Sequence, residues 1–212
     1  FGSFLIVPRH VLGGKRPDGS LYLAPSDMMN LGFIGTGKQG KGLSNFFMST
    51  GEVRITAISE VYQAKAKQFV DRVKDIYAKT PSLGNYSEIP VYPDFRELLA
   101  LKNVDAVVIA SPDHWHAAMA VRAAAAGKDI YCEKPLSLTV KEGRAMVDAT
   151  RKYKRVFQTG SMQRSWPEFR QAAELIRNGY IGEVKSIKVN VGPPPMAYDL
   201  TAEEMPMGLD FE

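Results

Sequence analysis

Two stretches of this chain carry residue types whose spacing suits chemistry. The first is Gly35-Thr36-Gly37-Lys38-Gln39-Gly40, three glycines spaced G-x-G-x-x-G directly after the apolar run Leu31-Gly32-Phe33-Ile34. Between a strand and a helix, such glycines have separate uses. Gly35 permits the tight turn, Gly37 lets the backbone approach a pyrophosphate, and Gly40 lets the helix pack closely on the strand. The helix N-terminus adds free N–H groups and positive dipole. The spacing alone also fits a glycine turn in a nucleotide-free sheet. Its context argues for more: Glu60 ends the alternating run Val53–Ser59, at the position about 20 residues on where an acidic residue meets a ribose. A carboxylate there can accept from both adenosine ribose hydroxyls and repels a 2′-phosphate. Together these features predict a dinucleotide site, made by Gly35 to Gly40 with Glu60, that favours NAD.

The second stretch is Glu133-Lys134-Pro135, which follows the apolar run Ile130-Tyr131-Cys132. Two other apolar runs end in polar clusters, Ser111-Pro112-Asp113-His114-Trp115-His116 and Thr159-Gly160-Ser161-Met162-Gln163-Arg164. In an open α/β sheet the ligand lies outside the carboxyl ends of the strands, so a dinucleotide docked at Gly35 would pass over all three. Ser111, Pro112, His116, Glu133, Lys134 and Gln163 are therefore expected at the cofactor, with Gln158 a further contact on the nicotinamide side or with the substrate. Trp115 suits either the wall of a substrate site or simple packing. Arg164 suits a substrate contact or a carboxylate at the domain junction. His114 and His116, with Cys132 or Glu133, raise the question of a metal, but the spacing is not that of zinc ligands and no metal is expected. Cys132 in its apolar strand reads as inert core.

The elements that must hold these residues follow from periodicity. Helices are predicted at Gln39 to Ser49, Tyr62 to Tyr77, Phe95 to Ala100, His116 to Ala125 and Thr139 to Tyr153. Asp94-x-x-Glu97 and Thr139-x-x-Glu142 read as capping boxes. Strands are predicted at Leu31 to Ile34, Val53 to Ser59, Ile89 to Tyr92, Asp105 to Ala110, Asp129 to Cys132 and Val156 to Gln158, with Thr80 to Tyr86 a loop. Strands alternating with helices predict α/β architecture with a doubly wound parallel sheet. Further on, Pro167 to Asn178 reads as a helix and Glu183 to Val191 as an alternating strand. Residues 192–212 have no periodicity. One helix and one strand cannot bury a second core, so a second domain is expected to begin here and to be incomplete. The expected organisation is an N-terminal arm over 1–26, a dinucleotide-binding domain over 27–159 and the start of a substrate domain over 160–212.

Composition narrows the classes. The 212 residues carry a formal net charge of +4 and a single cysteine. The basic residues are interspersed, which suits an anionic cofactor and gives no reason to expect nucleic acid. One cysteine excludes an internal disulfide, and no apolar run has the length of a membrane span. The apolar start Phe1-Gly2-Ser3-Phe4-Leu5-Ile6-Val7-Pro8 reads either as an arm packing on the body or as the remnant after an export signal. A periplasmic or exported location is the expectation, with the cytoplasm as the alternative.

The chain resembles the Gfo/Idh/MocA family, the glucose-fructose oxidoreductases and inositol dehydrogenases, from about Met29 onward. The resemblance rests on GFIGTGKQG, the strand-end Glu60, VVIASPDHWH, IYCEKPLS and FQTGSMQR. It implies a Rossmann domain followed by a larger domain with an open, mainly antiparallel sheet that houses a sugar. It implies further that Lys134 sits beside the nicotinamide ribose and the reacting hydroxyl, where it could take the hydroxyl proton as hydride leaves. The start of the chain also looks like exported family members just after their signal. The acidic residue after the second strand is more often Asp in the family. The family's downstream Asp and His, which contact the substrate, are not found within these residues. The expected activity is NAD-dependent oxidation or reduction of a sugar or polyol, with Lys134 catalytic and Lys134, Arg164 and Trp115 facing the substrate. The 212 residues alone are expected to be inactive. The alternatives are a glycosidase acting by transient oxidation and a non-catalytic NAD-binding sensor. A homo-oligomer assembled through the second domain is expected.

Overall fold

The computed structural model describes residues 13–15, 21–24, 26–80, 88–192 and 203–210. Two compact units are present: Phe1–Gly160 with Gly208–Glu212, and Ser161–Met207. The first described elements of this unit are two short antiparallel strands, β1 (Gly14–Lys15) and β2 (Leu21–Tyr22). The rest of the expected N-terminal arm, with the apolar start at its head, lies for the most part outside the described residues, as does the expected loop over 81–87.

Six parallel strands follow: β3 (Met29–Ile34), β4 (Val53–Ser59), β5 (Val91–Tyr92), β6 (Ala106–Ile109), β7 (Asp129–Glu133) and β8 (Phe157–Gly160). Their order is β5-β4-β3-β6-β7-β8. The chain builds outward from β3 in one direction, then crosses over and builds from β6 in the other. The adjoining carboxyl ends of β3 and β6 thus form the switch point where such sheets bind ligands. The connections carry helices α1 (Lys38–Ser49), α2 (Gln63–Lys79), α3 (Phe95–Leu99), α4 (His116–Ala125) and α5 (Val140–Lys152). This is the doubly wound α/β fold that the sequence predicts.

Burial explains why the central strands read as near-continuous apolar runs. Phe33, Ile55, Ile58, Val107 and Ile109 have no solvent exposure, as befits a sheet covered on both faces. The alanines of α4 let that helix lie close on the sheet, with Ala120, Ala123 and Ala124 fully buried. The capping box of α5 is complete: Glu142 N–H donates to the Thr139 hydroxyl at 3.2 Å, and Thr139 N–H donates to the Glu142 carboxylate at 2.9 Å. That of α3 is half made. Asp94 accepts from Arg96 N–H at 2.8 Å, while Glu97 makes no return bond among the described residues. Between Leu31 and Gly32 the β3–β4 register slips by one residue. There the Tyr77 hydroxyl accepts from Ile55 N–H at 2.8 Å and donates to Ile55 C=O at 3.0 Å, meeting backbone groups that a bulge leaves unpaired. Lys128 is buried, and its ammonium donates to the carbonyls of Leu101 and Val104. Burial lowers its pKa, with the charge of Asp105 opposing.

In the second unit α6 (Pro167–Arg177) matches the predicted helix, with proline in its first turn. The predicted strand over Glu183 to Val191 is not formed. The segment runs without strand pairing, and Ile187, Val189 and Val191 are 81%, 74% and 81% exposed. An alternating pattern becomes a strand only through a neighbour's ladder bonds, and none of the unit's described residues provides one. The aperiodic residues 192–212 form no strand among those described, although Leu209 makes an isolated antiparallel bridge with Tyr62.

Cys132 lies fully buried in β7. Burial, with the Glu133 charge second, pushes its thiol from 9.0 up to about 12. Burial likewise pushes the Tyr131 phenol from 10.0 up to about 12, again with help from Glu133. Both groups keep their protons in the folded chain over a window in which the unfolded chain loses them. The contribution of these two groups to folding stability is therefore level below pH 9 and falls as the pH rises from 9 towards 12, outweighing the smaller opposing contribution of Lys128. Denaturant midpoints measured below and within that window check this; a midpoint that holds or rises would contradict it. Cys132 should also resist alkylation until the chain is unfolded.

Candidate dinucleotide site

The site is built outward from the turn after β3. Gly35 has φ +88, and a Cβ there would stand 2.7 Å from the carbonyl carbon and oxygen of Ala110 and from Ser111 N. The turn therefore lies directly against the end of β6. At Gly40 a Cβ would meet the Gly35 carbonyl oxygen at 2.5 Å, so α1 approaches the turn through bare backbone. Gly37 differs, because among the described residues nothing beyond its own chain neighbours lies within 4 Å of the position its Cβ would take. That open side is where a ligand can approach. Gly37 is also the N-cap of α1, which has no side-chain cap and no acidic residue in its first turn. The leading N–H groups of the helix thus meet no side-chain acceptor of their own. These features fit the pyrophosphate of NAD, which Gly35, Thr36, Gly37, Lys38, Gln39 and Gly40 would hold.

Glu60, half-buried just beyond β4, is fixed by the same turn. Its Oε2 accepts from Thr36 N–H at 2.9 Å and from the Thr36 hydroxyl at 2.8 Å. Its Oε1 accepts from Tyr62 N–H at 3.1 Å. Thr36 is fully buried. A carboxylate has about four acceptor sites, so three donors leave one, on Oε1. The sequence argument assumes two ribose bonds at Glu60; in this arrangement it has room for one, and a second requires the Thr36 hydroxyl to turn away.

The end of β6 continues into a 3₁₀ turn, Asp113–Trp115. His116 opens α4 and is 1% exposed. Its Nδ1 lies 2.7 Å from the Pro135 carbonyl oxygen and its Nε2 2.9 Å from that of Ser111. A neutral ring donates to one of these oxygens, the imidazolium to both. The ring nitrogens expected at the cofactor are engaged by backbone, and His116 ties the loop after β6 to the loop after β7. The Ser111 hydroxyl donates to the Met119 sulfur at 3.3 Å. Pro112 is exposed. Trp115 is 45% exposed, with its ring 6.1 Å from that of His114.

The end of β7 carries the polar centre of the site. Glu133 is 4% exposed. Its Oε1 accepts from Gln39 Nε2 at 2.8 Å, and its Oε2 from Lys134 N–H at 3.2 Å. The Tyr131 hydroxyl stands 3.5 Å from Oε1. Room for this carboxylate comes from Gly160 on β8, where a Cβ would meet Glu133 Oε1 at 2.7 Å and its Cα at 3.0 Å. Lys134 is exposed, and its ammonium has no hydrogen-bond or ion-pair partner among the described residues. The Lys134–Pro135 peptide is cis.

The first unit thus brings together the glycine turn, Glu60, Ser111, Pro112, Glu133 and Lys134 at the strand ends. Gln158, on β8, is exposed and donates to the Thr159 carbonyl. Gln163 and Arg164 belong to the second unit, where both are exposed in the 3₁₀ turn Met162–Ser165. Among the described residues no group of three or more His, Cys, Asp or Glu could hold a metal ion. Sequence reasoning marked Gln39, Glu133, Thr36 and Glu60 singly and missed how they pair. Only the tertiary fold supplies those pairings.

Gly160→Ala should force the buried Glu133 carboxylate off Gln39. Overpacking of this kind destabilises by about 1–3 kcal/mol, which denaturant unfolding of the variant would register. An unchanged midpoint would contradict the packing described.

Residues 29–161 match the oxidoreductase family defined by an NAD-binding Rossmann fold. The chain is 30% identical over 173 residues to the myo-inositol 2-dehydrogenase of Thermotoga maritima, covering 80% of this chain and 48% of that one. It is 29% identical over 164 residues to a glycosyl hydrolase family 109 protein of Shewanella baltica, covering 76% and 35%. Among solved structures, scyllo-inositol dehydrogenase of Lactobacillus casei with bound NAD(H) and scyllo-inositol superposes with a TM-score of 0.60 at 25% identity. That match covers 74% of this chain and 43% of the other. The chain thus spans about half the length of the relatives it matches, or less. With the glycine turn, Glu60 and the Glu133-Lys134-Pro135 strand end in their places on a doubly wound sheet, the chain belongs to the Gfo/Idh/MocA oxidoreductase family, whose NAD-binding Rossmann fold it carries.

Proposed function

We propose that the protein transfers hydride between a nicotinamide cofactor and a hydroxyl of a sugar or polyol, with NAD preferred to NADP. The observation that carries this reading is the 2.8 Å bond from Gln39 to Glu133. It links the turn suited to a pyrophosphate with the strand end that bears Lys134. A dinucleotide spans such a distance, with its phosphates at one end and its reacting ring at the other. The inositol dehydrogenases among its relatives support a polyol as the substrate class.

The bound cofactor supplies the hydride acceptor or donor. The chain's own residues bind, orient and move one proton. Glu60 takes an adenosine ribose hydroxyl and repels a 2′-phosphate. The first turn of α1 takes the pyrophosphate. Glu133, with Gln39, fixes the loop from which Lys134 projects. The free amine of Lys134 accepts the substrate hydroxyl proton during oxidation, and the ammonium returns it during reduction. Ser111 and Pro112 flank the nicotinamide half, and Trp115 presents an aromatic wall to the sugar.

A second reading is favoured by the glycosyl hydrolase relative: a glycosidase that oxidises its substrate transiently and ends with no net change in cofactor. Near-ultraviolet absorbance separates the two. Net NADH formed with a polyol supports the dehydrogenase; glycoside cleavage without net NADH supports the glycosidase.

Two outcomes are expected. NAD should bind at least about tenfold more tightly than NADP, a difference of ~1.4 kcal/mol, and Glu60→Ala should narrow that gap. Titrations with both cofactors check this, and equal or tighter NADP binding would contradict it. Lys134→Ala should lower turnover of the full-length protein by about 10²–10⁴-fold, the range for a positioned acid–base group, with NAD affinity nearly unchanged. An unaltered rate at saturating substrate would remove Lys134 from the mechanism.

A further inference from the structure

Glu60 owes its orientation to two sets of donors. On one side is the Thr36 pair, within the glycine turn. On the other is Tyr62 N–H, which reaches Oε1 at 3.1 Å. Oε1 is the oxygen with the remaining acceptor site, so the turn over Val61 to Gln63 determines where that site points. The turn does not stand alone. Gly208, Leu209 and Asp210, from the far end of the chain, belong to the same compact unit and lie antiparallel beside it. Leu209 bridges Tyr62. Gln63 N–H donates to Gly208 C=O at 3.0 Å, and Asp210 N–H donates to Val61 C=O at 2.9 Å. Gly208 holds φ +81, where a Cβ would come 3.3 Å from Gln63 Oε1. The two backbone bonds thus flank the residue that supplies the donor to Glu60.

We propose that Gly208–Asp210 is a positioning segment for the dinucleotide's adenosine ribose. By pairing with Val61 to Gln63 it holds Tyr62 N–H on Glu60 Oε1, and so directs the one open acceptor site of that carboxylate. The proposal rests on the reading of Glu60 as the ribose acceptor. It makes cofactor affinity depend on residues outside the Rossmann match over 29–161. If the segment lifts away, Tyr62 leaves the carboxylate, and Glu60 is held only by the Thr36 pair on Oε2, with Oε1 no longer fixed. The ribose then meets an acceptor that must be ordered anew on binding.

The test uses NAD and ADP-ribose as probes, titrated by tryptophan fluorescence or calorimetry into the full-length protein. Asp210→Pro removes the N–H that pairs with Val61. Asp210→Asn keeps the N–H and removes the charge. Gly208→Val strains the φ +81 position. Asp210→Pro and Gly208→Val should each weaken both probes about tenfold, with the NAD-over-NADP preference reduced and thermal stability little changed. Asp210→Asn should bind as the unaltered protein does. In a Glu60→Ala background the same two substitutions should cost almost nothing more, because residues acting through one group are not additive.

Unaltered affinity in both backbone variants would overturn the proposal. So would losses that add fully to that of Glu60→Ala, or an equal loss in Asp210→Asn, which would assign the effect to the carboxylate. Failure of the unaltered protein to bind ADP-ribose would instead overturn the reading of Glu60 on which the proposal stands.

Discussion

The structure depends on a contact that tolerates no side chain. At the switch point the turn after β3 presses on the end of β6, with Gly35 so close to Ala110 and Ser111 that any Cβ would overlap backbone. A flexible neighbour could move aside; two backbone segments in one sheet cannot. Gly40 repeats the condition one helical turn later, against the Gly35 carbonyl. These two contacts aim α1 at the crevice and leave its first N–H groups uncapped there. Gly37, open on its outer side, would then let a phosphate approach.

Polar side chains bind the neighbouring strand ends to that turn. Thr36 holds Glu60 on one side, Gln39 holds Glu133 on the other, and His116 ties the loops after β6 and β7. Glu133 shows what this arrangement costs. A carboxylate 4% exposed is expensive to bury unless hydrogen-bonded, and its bonds come from an amide and a backbone N–H rather than a cation. Core packing alone has no need of such a group. Its bonds hold the strand end from which Lys134 projects.

Much of this was legible in the sequence because the signals were local. The glycine spacing, the alternating run ending at Glu60, and the Thr139 capping box each depend on residues close together in the chain. The helix over His116 to Ala125 and the strand over Val53–Ser59 match their predictions residue for residue. What failed depended on partners distant in sequence. Alternation alone predicts a strand at Glu183 to Val191, yet no described neighbour pairs with it. Gly208 to Asp210 shows no alternation and still bridges Tyr62, because backbone pairing does not need a side-chain pattern. His116 has the residue type for a cofactor contact, but its two ring nitrogens face carbonyls on loops that only the fold brings together.

The central claim is that the dinucleotide lies across the carboxyl ends of β3, β4, β6 and β7, held by one connected set of residues. Backbone amide shifts of the labelled protein, followed as NAD is added, test this directly. The account predicts the largest changes at Thr36 to Gly40, Glu60 to Tyr62, Ser111 and Glu133 to Lys134, with the outer face of α5 unmoved. Changes that are absent from the glycine turn, or centred away from these strand ends, would contradict it.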